Sequence, residues 1–214
     1  IQKHIIDMSR ILGKRCITAT EMLESMTHNK RPTRAEISDV ANAVYDGTSA
    51  VMLSGETAAG EYVVEAVSAM ARIVEQAEHN RQYIQIIPDD RFVISSAGEA
   101  LSHSACTLAH DLGAKAIVVC THTGSTARMV SRFRPEEPIL GMTSNKKAFR
   151  KLALSWGVKP VLSEEYSSVD ILFYFAKQCA LNSGFAKKGD KVVITGGTPI
   201  GKGGNSSLIN IDTL

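Results

Sequence analysis

Three short segments of this chain gather hydroxyl groups where an apolar run ends. Thr18-Ala19-Thr20 follows Cys16-Ile17, and Ser54-Gly55-Glu56-Thr57 follows Ala50-Val51-Met52-Leu53. Thr121-His122-Thr123-Gly124-Ser125-Thr126 follows the apolar residues 116–120. Each segment leads into a helix-like pattern. Hydroxyl donors beside the free N–H groups of a helix N-terminus suit a phosphorylated ligand. The same hydroxyls could serve only as helix caps, so Thr20 and Ser54 carry both readings at this point. His122 reads as an exposed loop residue, and His4, His28, His79, His103 and His110 show no pairing that suggests catalysis.

The elements that must present these segments follow from periodicity. Residues 2–12 place Ile5, Ile6, Met8, Ile11 and Leu12 on one helical face, closed by Gly13. Residues 16–19 and 50–53 read as short buried strands. Thr33 and Glu36 form a Thr-x-x-Glu capping box that opens a helix to residue 44. Residues 61–80 are a long amphipathic helix. The Pro- and Asp-containing stretch 84–93 breaks this rhythm and marks a domain boundary, giving units 1–85 and 86–214. Beyond it, helices at 97–112, 126–133, 146–156 and 169–183 alternate with strands at 116–120, 139–143 and 158–162. A hairpin pairs 191–195 with 207–212 across a Gly-rich loop. Such alternation predicts an α/β fold, with a mostly parallel sheet covered on both faces and an antiparallel edge.

Composition narrows the classes. The 24 basic and 22 acidic residues nearly cancel, which gives no electrostatic case for nucleic acid or a membrane surface as partner. No apolar run approaches the roughly 18 residues of a membrane span. The four cysteines, Cys16, Cys106, Cys120 and Cys179, lie in apolar runs without metal-like spacing and read as buried thiols in a reducing, cytoplasmic setting. The chain opens on Ile1 rather than Met, so it is expected to begin inside a longer protein. Residues 1–85 hold only two barrel-type strands, whereas a closed (β/α)₈ barrel takes roughly 250 residues. They could form the last quarter of one, where phosphate groups often lie.

At these residues a specific resemblance enters. Ala19-Thr20-Glu21-Met22-Leu23-Glu24-Ser25-Met26, Arg31-Pro32-Thr33-Arg34-Ala35-Glu36, Ser38-Asp39-Val40-Ala41-Asn42-Ala43-Val44 and Val51-Met52-Leu53-Ser54-Gly55-Glu56-Thr57-Ala58 stand in this order. They resemble the end of the catalytic barrel of the pyruvate kinase family. Gly189-Asp190-Lys191-Val192-Val193-Ile194 is similar to a strand of its C-terminal domain. The resemblance covers essentially the whole chain. One departure is Glu21, where the family usually has Gln.

The resemblance implies the last strand–helix units of a (β/α)₈ TIM barrel followed by a separate regulatory α/β domain. It implies phosphoryl transfer from phosphoenolpyruvate to ADP in glycolysis, with Mg²⁺ and K⁺ held upstream of this chain. It further implies a homotetramer and a sugar-phosphate or nucleotide effector. Thr20 matches the active-site threonine tied to proton delivery. A hydroxyl alone is a poor acid, so a relay through water suits it better. Arg34 matches an arginine at the barrel–barrel subunit interface. Thr121, Thr123, Gly124, Ser125 and Thr126 match the effector loop, closed over by Lys202 and Gly203 in the loop 196–205. A stand-alone phosphate-binding regulatory module is the alternative. An aldolase-type barrel would need a Schiff-base lysine at a strand end, and neither strand ends in one.

Overall fold

The computed structural model of the chain describes residues 1–80, 89–197 and 207–214. Contacts within the chain divide it into two units, Ile1–Phe92 and Val93–Leu214. The boundary expected at residues 85 and 86 lies outside the described residues.

In the first unit, α1 (Gln2–Ile11) is followed by the left-handed Gly13. Strand β1 (Ile17–Ala19) pairs in parallel with β2 (Ala50–Met52), in the register Ile17 to Ala50 and Ala19 to Met52. Between them lie a 3₁₀ turn at Glu24–Thr27 and α2 (Arg34–Tyr45). The short helix α3 (Gly55–Ala58) and the long α4 (Val63–His79) follow β2. Met22, Leu23 and Met26 from the segment after β1 pack with Val40 and Ala43 of α2 and Ala66 and Met70 of α4. The two strands were expected to be buried, but here Ile17 is 46% and Met52 44% exposed. The core of this unit is built by the helices and the post-β1 segment. It does not cover the outward faces of the two strands.

The loop after β1 is tied to α2 by Glu36. Its carboxylate accepts from the Ser25 N–H and hydroxyl, each at 2.6 Å. It also accepts from the Thr33 N–H at 2.7 Å and the Thr33 hydroxyl at 2.8 Å. Thr33 caps α2 in return, completing the expected capping box. Burial opposes the Glu36 charge, but the hydrogen bonds from Ser25 and Thr33 outweigh it and hold its pKa below the ordinary carboxylate value.

The second unit is a five-stranded sheet in the order β5-β4-β3-β6-β7. Strands β3 (Ile117–Cys120), β4 (Ile139–Thr143), β5 (Val158–Leu162) and β6 (Lys191–Gly196) are parallel, and β7 (Leu208–Thr213) is antiparallel at the edge. Helices α5 (Ala97–Leu112), α6 (Ser125–Arg132) and α7 (Lys146–Leu152) cover one face, packing Ala105, Ala109, Val130 and Leu152 on Ile117, Val119 and Val193. Helix α8 (Val169–Ser183) covers the other with Leu172, Ala176 and Ala180 on Val118, Leu140 and Ile194. Strands buried on both faces read as unbroken apolar runs, which is why β3 and β4 were legible. Helix α7 ends four residues before the expected residue 156, and 156–157 form the turn into β5.

All four cysteines are free, and of these only Cys120 is fully buried, so the expectation of four buried thiols holds for one. Among the described residues no helix is long and apolar enough to cross a membrane.

A test of the Glu36 contact follows from linkage. A carboxylate with a depressed folded-state pKa contributes stability above its unfolded pKa and loses it as pH falls through the lower, folded value. Glu36→Gln is therefore expected to lower stability at pH 7 by about 1–3 kcal/mol, with the deficit shrinking as pH falls below the ordinary carboxylate value. Urea unfolding across that range measures it. A deficit independent of pH would contradict the ionised contact.

Candidate functional site

The carboxyl ends of β1 and β2 lie side by side because the strands are parallel and in register. At the end of β1 the chain turns sharply. Thr20 has φ +76° and Glu21 φ +55°, both left-handed without being glycine. A β-branched residue in this region is a clear outlier, and such strain gathers at functional sites. The turn drives Met22 and Leu23 into the core and leaves Thr20 and Glu21 exposed at the strand end. Thr20 precedes no helix, so the helix-cap reading of this residue does not hold.

Ser54 does precede α3, but its side chain makes no capping bond. Glu56 takes over that task. It is 1% exposed, and its Oε2 accepts from the Ser54 N–H at 2.7 Å. Its Oε1 accepts from the Leu23 N–H at 2.9 Å. One side chain thus satisfies backbone donors from the loops after both strands. Sequence reasoning quoted Glu56 within a motif but gave it no role, because an acidic residue in a helix's first turn looks like an ordinary dipole partner. The usable signal was its position three residues beyond the apolar run that ends at Leu53, where burial is expected.

Within β1, Thr18 joins its side chain to that of Thr48, just before β2, at 2.9 Å. Thr48 also lies within hydrogen-bond distance of the Cys16 and Ala50 carbonyls. These contacts fix the register that sets Thr20 beside the Ser54 loop. Arg34 is exposed in the first turn of α2, next to the Thr33 cap. His28 and Glu61 form an exposed pair at 2.9 Å, bridging the 3₁₀ turn and the approach to α4.

The second candidate site is the loop after β3. Gly124, with φ +85°, is the residue that precedes α6. A Cβ there would also lie 3.2 Å from Leu152 Cδ2, so glycine meets both demands. The helix begins at Ser125 rather than at Thr126. The structure brings Thr121, Thr123 and Ser125 together, but their hydroxyls bond within the loop. Thr121 Oγ1 accepts from the Gly124 N–H at 3.0 Å, and the Thr123 and Ser125 hydroxyls lie 3.0 Å apart. Thr126 sits in the first turn, half-buried.

His122 was expected to be exposed and is instead partly buried, with its Nδ1 fully covered and without a hydrogen-bond partner among the described residues. Thr143, at the end of β4, donates to the His122 carbonyl at 3.3 Å and so joins the neighbouring loop to this one. Burial, with Cys179 nearby, pushes the adjacent Cys120 thiol up to about 12, so it offers no nucleophile to this loop. Lys202 and Gly203, expected to close over the loop, lie outside the described residues. Among the described residues, no group of three or more His, Cys, Asp or Glu is placed to hold a metal ion.

Two family descriptions match this chain. "Pyruvate kinase, barrel domain" matches residues 1–67, and "Pyruvate kinase, alpha/beta domain" matches residues 99–211. A pyruvate kinase from Clostridium acetobutylicum is 44% identical over 221 residues, covering 100% of this chain and 46% of the relative. One from Geobacillus stearothermophilus is 46% identical over 219 residues, covering 100% of this chain and 37% of the relative. One from Staphylococcus epidermidis is 45% identical over 212 residues, covering 99% and 36%. The chain therefore spans less than half the length of these relatives. Matches to both domains in order, on a fold with two barrel-type strands and then a mostly parallel sheet, show that this chain belongs to the pyruvate kinase family.

Proposed function

We propose that this chain forms the end of the catalytic barrel and the regulatory domain of an enzyme that converts phosphoenolpyruvate and ADP to pyruvate and ATP. The observation that carries this reading is the exposed Thr20 hydroxyl. It stands on a strained turn at the carboxyl end of β1, beside the Ser54 loop, in a chain of this family.

In the reaction a terminal oxygen of ADP attacks phosphorus, and the bond from phosphorus to the enol oxygen breaks. The electron pair released forms the C2 carbonyl through the enolate, and C3 takes one proton. Overall, phosphoenolpyruvate, ADP and one proton give pyruvate and ATP. Thr20 supports the protonation at C3 by holding a donor water or passing on its proton. A threonine hydroxyl is too weak an acid to act as the sole source. Mg²⁺ and K⁺ would neutralise charge on the transferred phosphoryl group. In this reading they are held by residues outside these 214, and the enzyme is a cytoplasmic homotetramer with Arg34 at a barrel–barrel interface.

The loop after β3 serves as the effector site. Thr121, Thr123, Gly124, Ser125 and Thr126 would receive a phosphate of a sugar-phosphate or nucleotide, with Lys202 and Gly203 closing over it. The hydroxyls of Thr121, Thr123 and Ser125 bond within this loop. A ligand must exchange those bonds before gaining its own, so micromolar to millimolar affinity is the expected range.

Three outcomes test the reading. Pyruvate formation, coupled to lactate dehydrogenase, is expected from the full-length polypeptide that carries this segment and not from the 214 residues alone. Silence of the full-length polypeptide, or turnover by the pure segment, would contradict it. In the full-length enzyme, Thr20→Val is expected to lower kcat by roughly 10²-fold or more, with a much smaller change in the KM for phosphoenolpyruvate. Unchanged turnover would remove Thr20 from the chemistry. Calorimetry with fructose 1,6-bisphosphate, ribose 5-phosphate, glucose 6-phosphate and AMP should give binding to at least one, and Thr126→Asp should abolish it by setting a carboxylate where the phosphate would lie. Heat from none of the four, or binding unaffected by the substitution, would exclude this loop.

A further inference from the structure

The side chain that organises the ends of β1 and β2 is neither Thr20 nor Ser54 but Glu56. Its two oxygens reach different loops. Oε1 accepts from the Leu23 N–H at 2.9 Å, three residues past Thr20, and Oε2 accepts from the Ser54 N–H at 2.7 Å. Glu56 is 1% exposed and Leu23 is fully buried, so the Leu23 donor has no easy substitute in water, while Ser54 is half-buried. An unmet backbone N–H in such a place is costly, which makes the geometry of this bridge narrow.

The bridge acts on a segment that cannot hold its own shape. Thr20 and Glu21 occupy the left-handed region, where a non-glycine chain stays only if its surroundings over-determine it. On the upstream side, β1 is anchored to β2 by the strand ladder and by the contact between Thr18 and Thr48. On the downstream side, Met22 and Leu23 are held by packing, which resists displacement but directs no polar group. The hydrogen bond from Leu23 to Glu56 is the directional restraint immediately after the strained pair. Gly60 shows that the Glu56 backbone is also confined. A Cβ at Gly60 would meet the Glu56 carbonyl oxygen at 2.3 Å, and the Glu61 N–H bonds the Thr27 carbonyl at 2.9 Å. The turn carrying Glu56 is therefore clamped to the segment after β1 from both ends.

We propose that Glu56 is a positioning residue for the reaction, holding the Thr20 hydroxyl in the place from which a proton reaches carbon. This rests on the pyruvate kinase reading above. In this role Glu56 need touch no reacting atom. It acts through the Leu23 amide on the left-handed turn, and through the Ser54 amide on the neighbouring loop. A displacement of about 1 Å at a catalytic group can cost on the order of 10²-fold in rate, so a bridge of this kind is a kinetic as well as a structural element.

Glu56→Gln in the full-length enzyme is the test. The amide keeps the size and one acceptor oxygen, but it turns an N–H₂ group towards one of the two backbone donors. Turnover is expected to fall at least about 10-fold, with less than about a 3-fold change in the KM for phosphoenolpyruvate. The solvent deuterium isotope effect on kcat should rise, because proton delivery slows while phosphoryl transfer does not. In the Thr20→Val background the same substitution should cost less than about 2-fold, since residues acting as a unit are not additive.

If Glu56→Gln does not fold, as judged by circular dichroism, Glu56→Asp decides. It keeps the carboxyl group but shortens its reach, and the same isotope effect and non-additivity are expected. A wild-type enzyme that turns over while the variants keep its kcat overturns the positioning role alone. So does a full multiplicative loss on top of Thr20→Val. A wild-type enzyme with no activity overturns the functional reading and this inference with it.

Discussion

Where a parallel strand ends, its backbone N–H groups lose their ladder partners, and each loop at that edge must find acceptors for them. This constraint shapes both candidate sites. After β1 and β2 the acceptor is one buried side chain, Glu56, which serves Leu23 and Ser54 together. After β3 it is Thr121, whose hydroxyl takes the Gly124 N–H. After β4 it is Asn145, which accepts from Lys147 and Ala148 at the start of α7. What differs is the reach of the solution. The two later loops are satisfied within a few residues, whereas Glu56 reaches back 33 residues to Leu23.

That difference explains what could be read from the sequence. Gly13, which follows α1 in a left-handed conformation, was visible because the C′ glycine rule is local. So was the Thr33–Glu36 capping box, and so were the apolar runs of β3 and β4, buried on both faces. The mostly parallel sheet and its antiparallel edge followed from the same alternation, whereas the order of the strands did not. The task of Glu56 was not visible, because nothing local distinguishes it from an acidic residue greeting a helix dipole. Nor was the left-handed turn at Thr20 and Glu21, since neither is glycine or asparagine. Local pattern also placed the end of α7 too late. Leu152 is fully buried, yet Ala153 and Leu154 are exposed, and the chain turns there to enter β5.

The two sites also treat their hydroxyls differently, and this bears on what each can do. Thr20 is lifted out at a strand end with Met22 and Leu23 buried beyond it, an arrangement suited to a single group acting in a fixed place. The loop after β3 keeps its hydroxyls bonded to one another, with Thr123 and Ser125 at 3.0 Å. In the proposed reading such a loop would give up internal bonds to receive a ligand. A site of that kind suits an effector whose binding is reversible and graded better than one that must hold a reacting group.

The account depends on one carboxyl group holding two loops at once, and amide hydrogen exchange reads that directly. Opening of a local contact exposes the amides it protects while leaving the rest of the fold closed. In Glu56→Ala, the amides of Leu23 and Ser54 should lose protection together, while those of Val118, Val119 and Ile194 in the second unit keep theirs. Loss at Ser54 alone, or retention at both, would show that the two loops are held independently and would contradict the account.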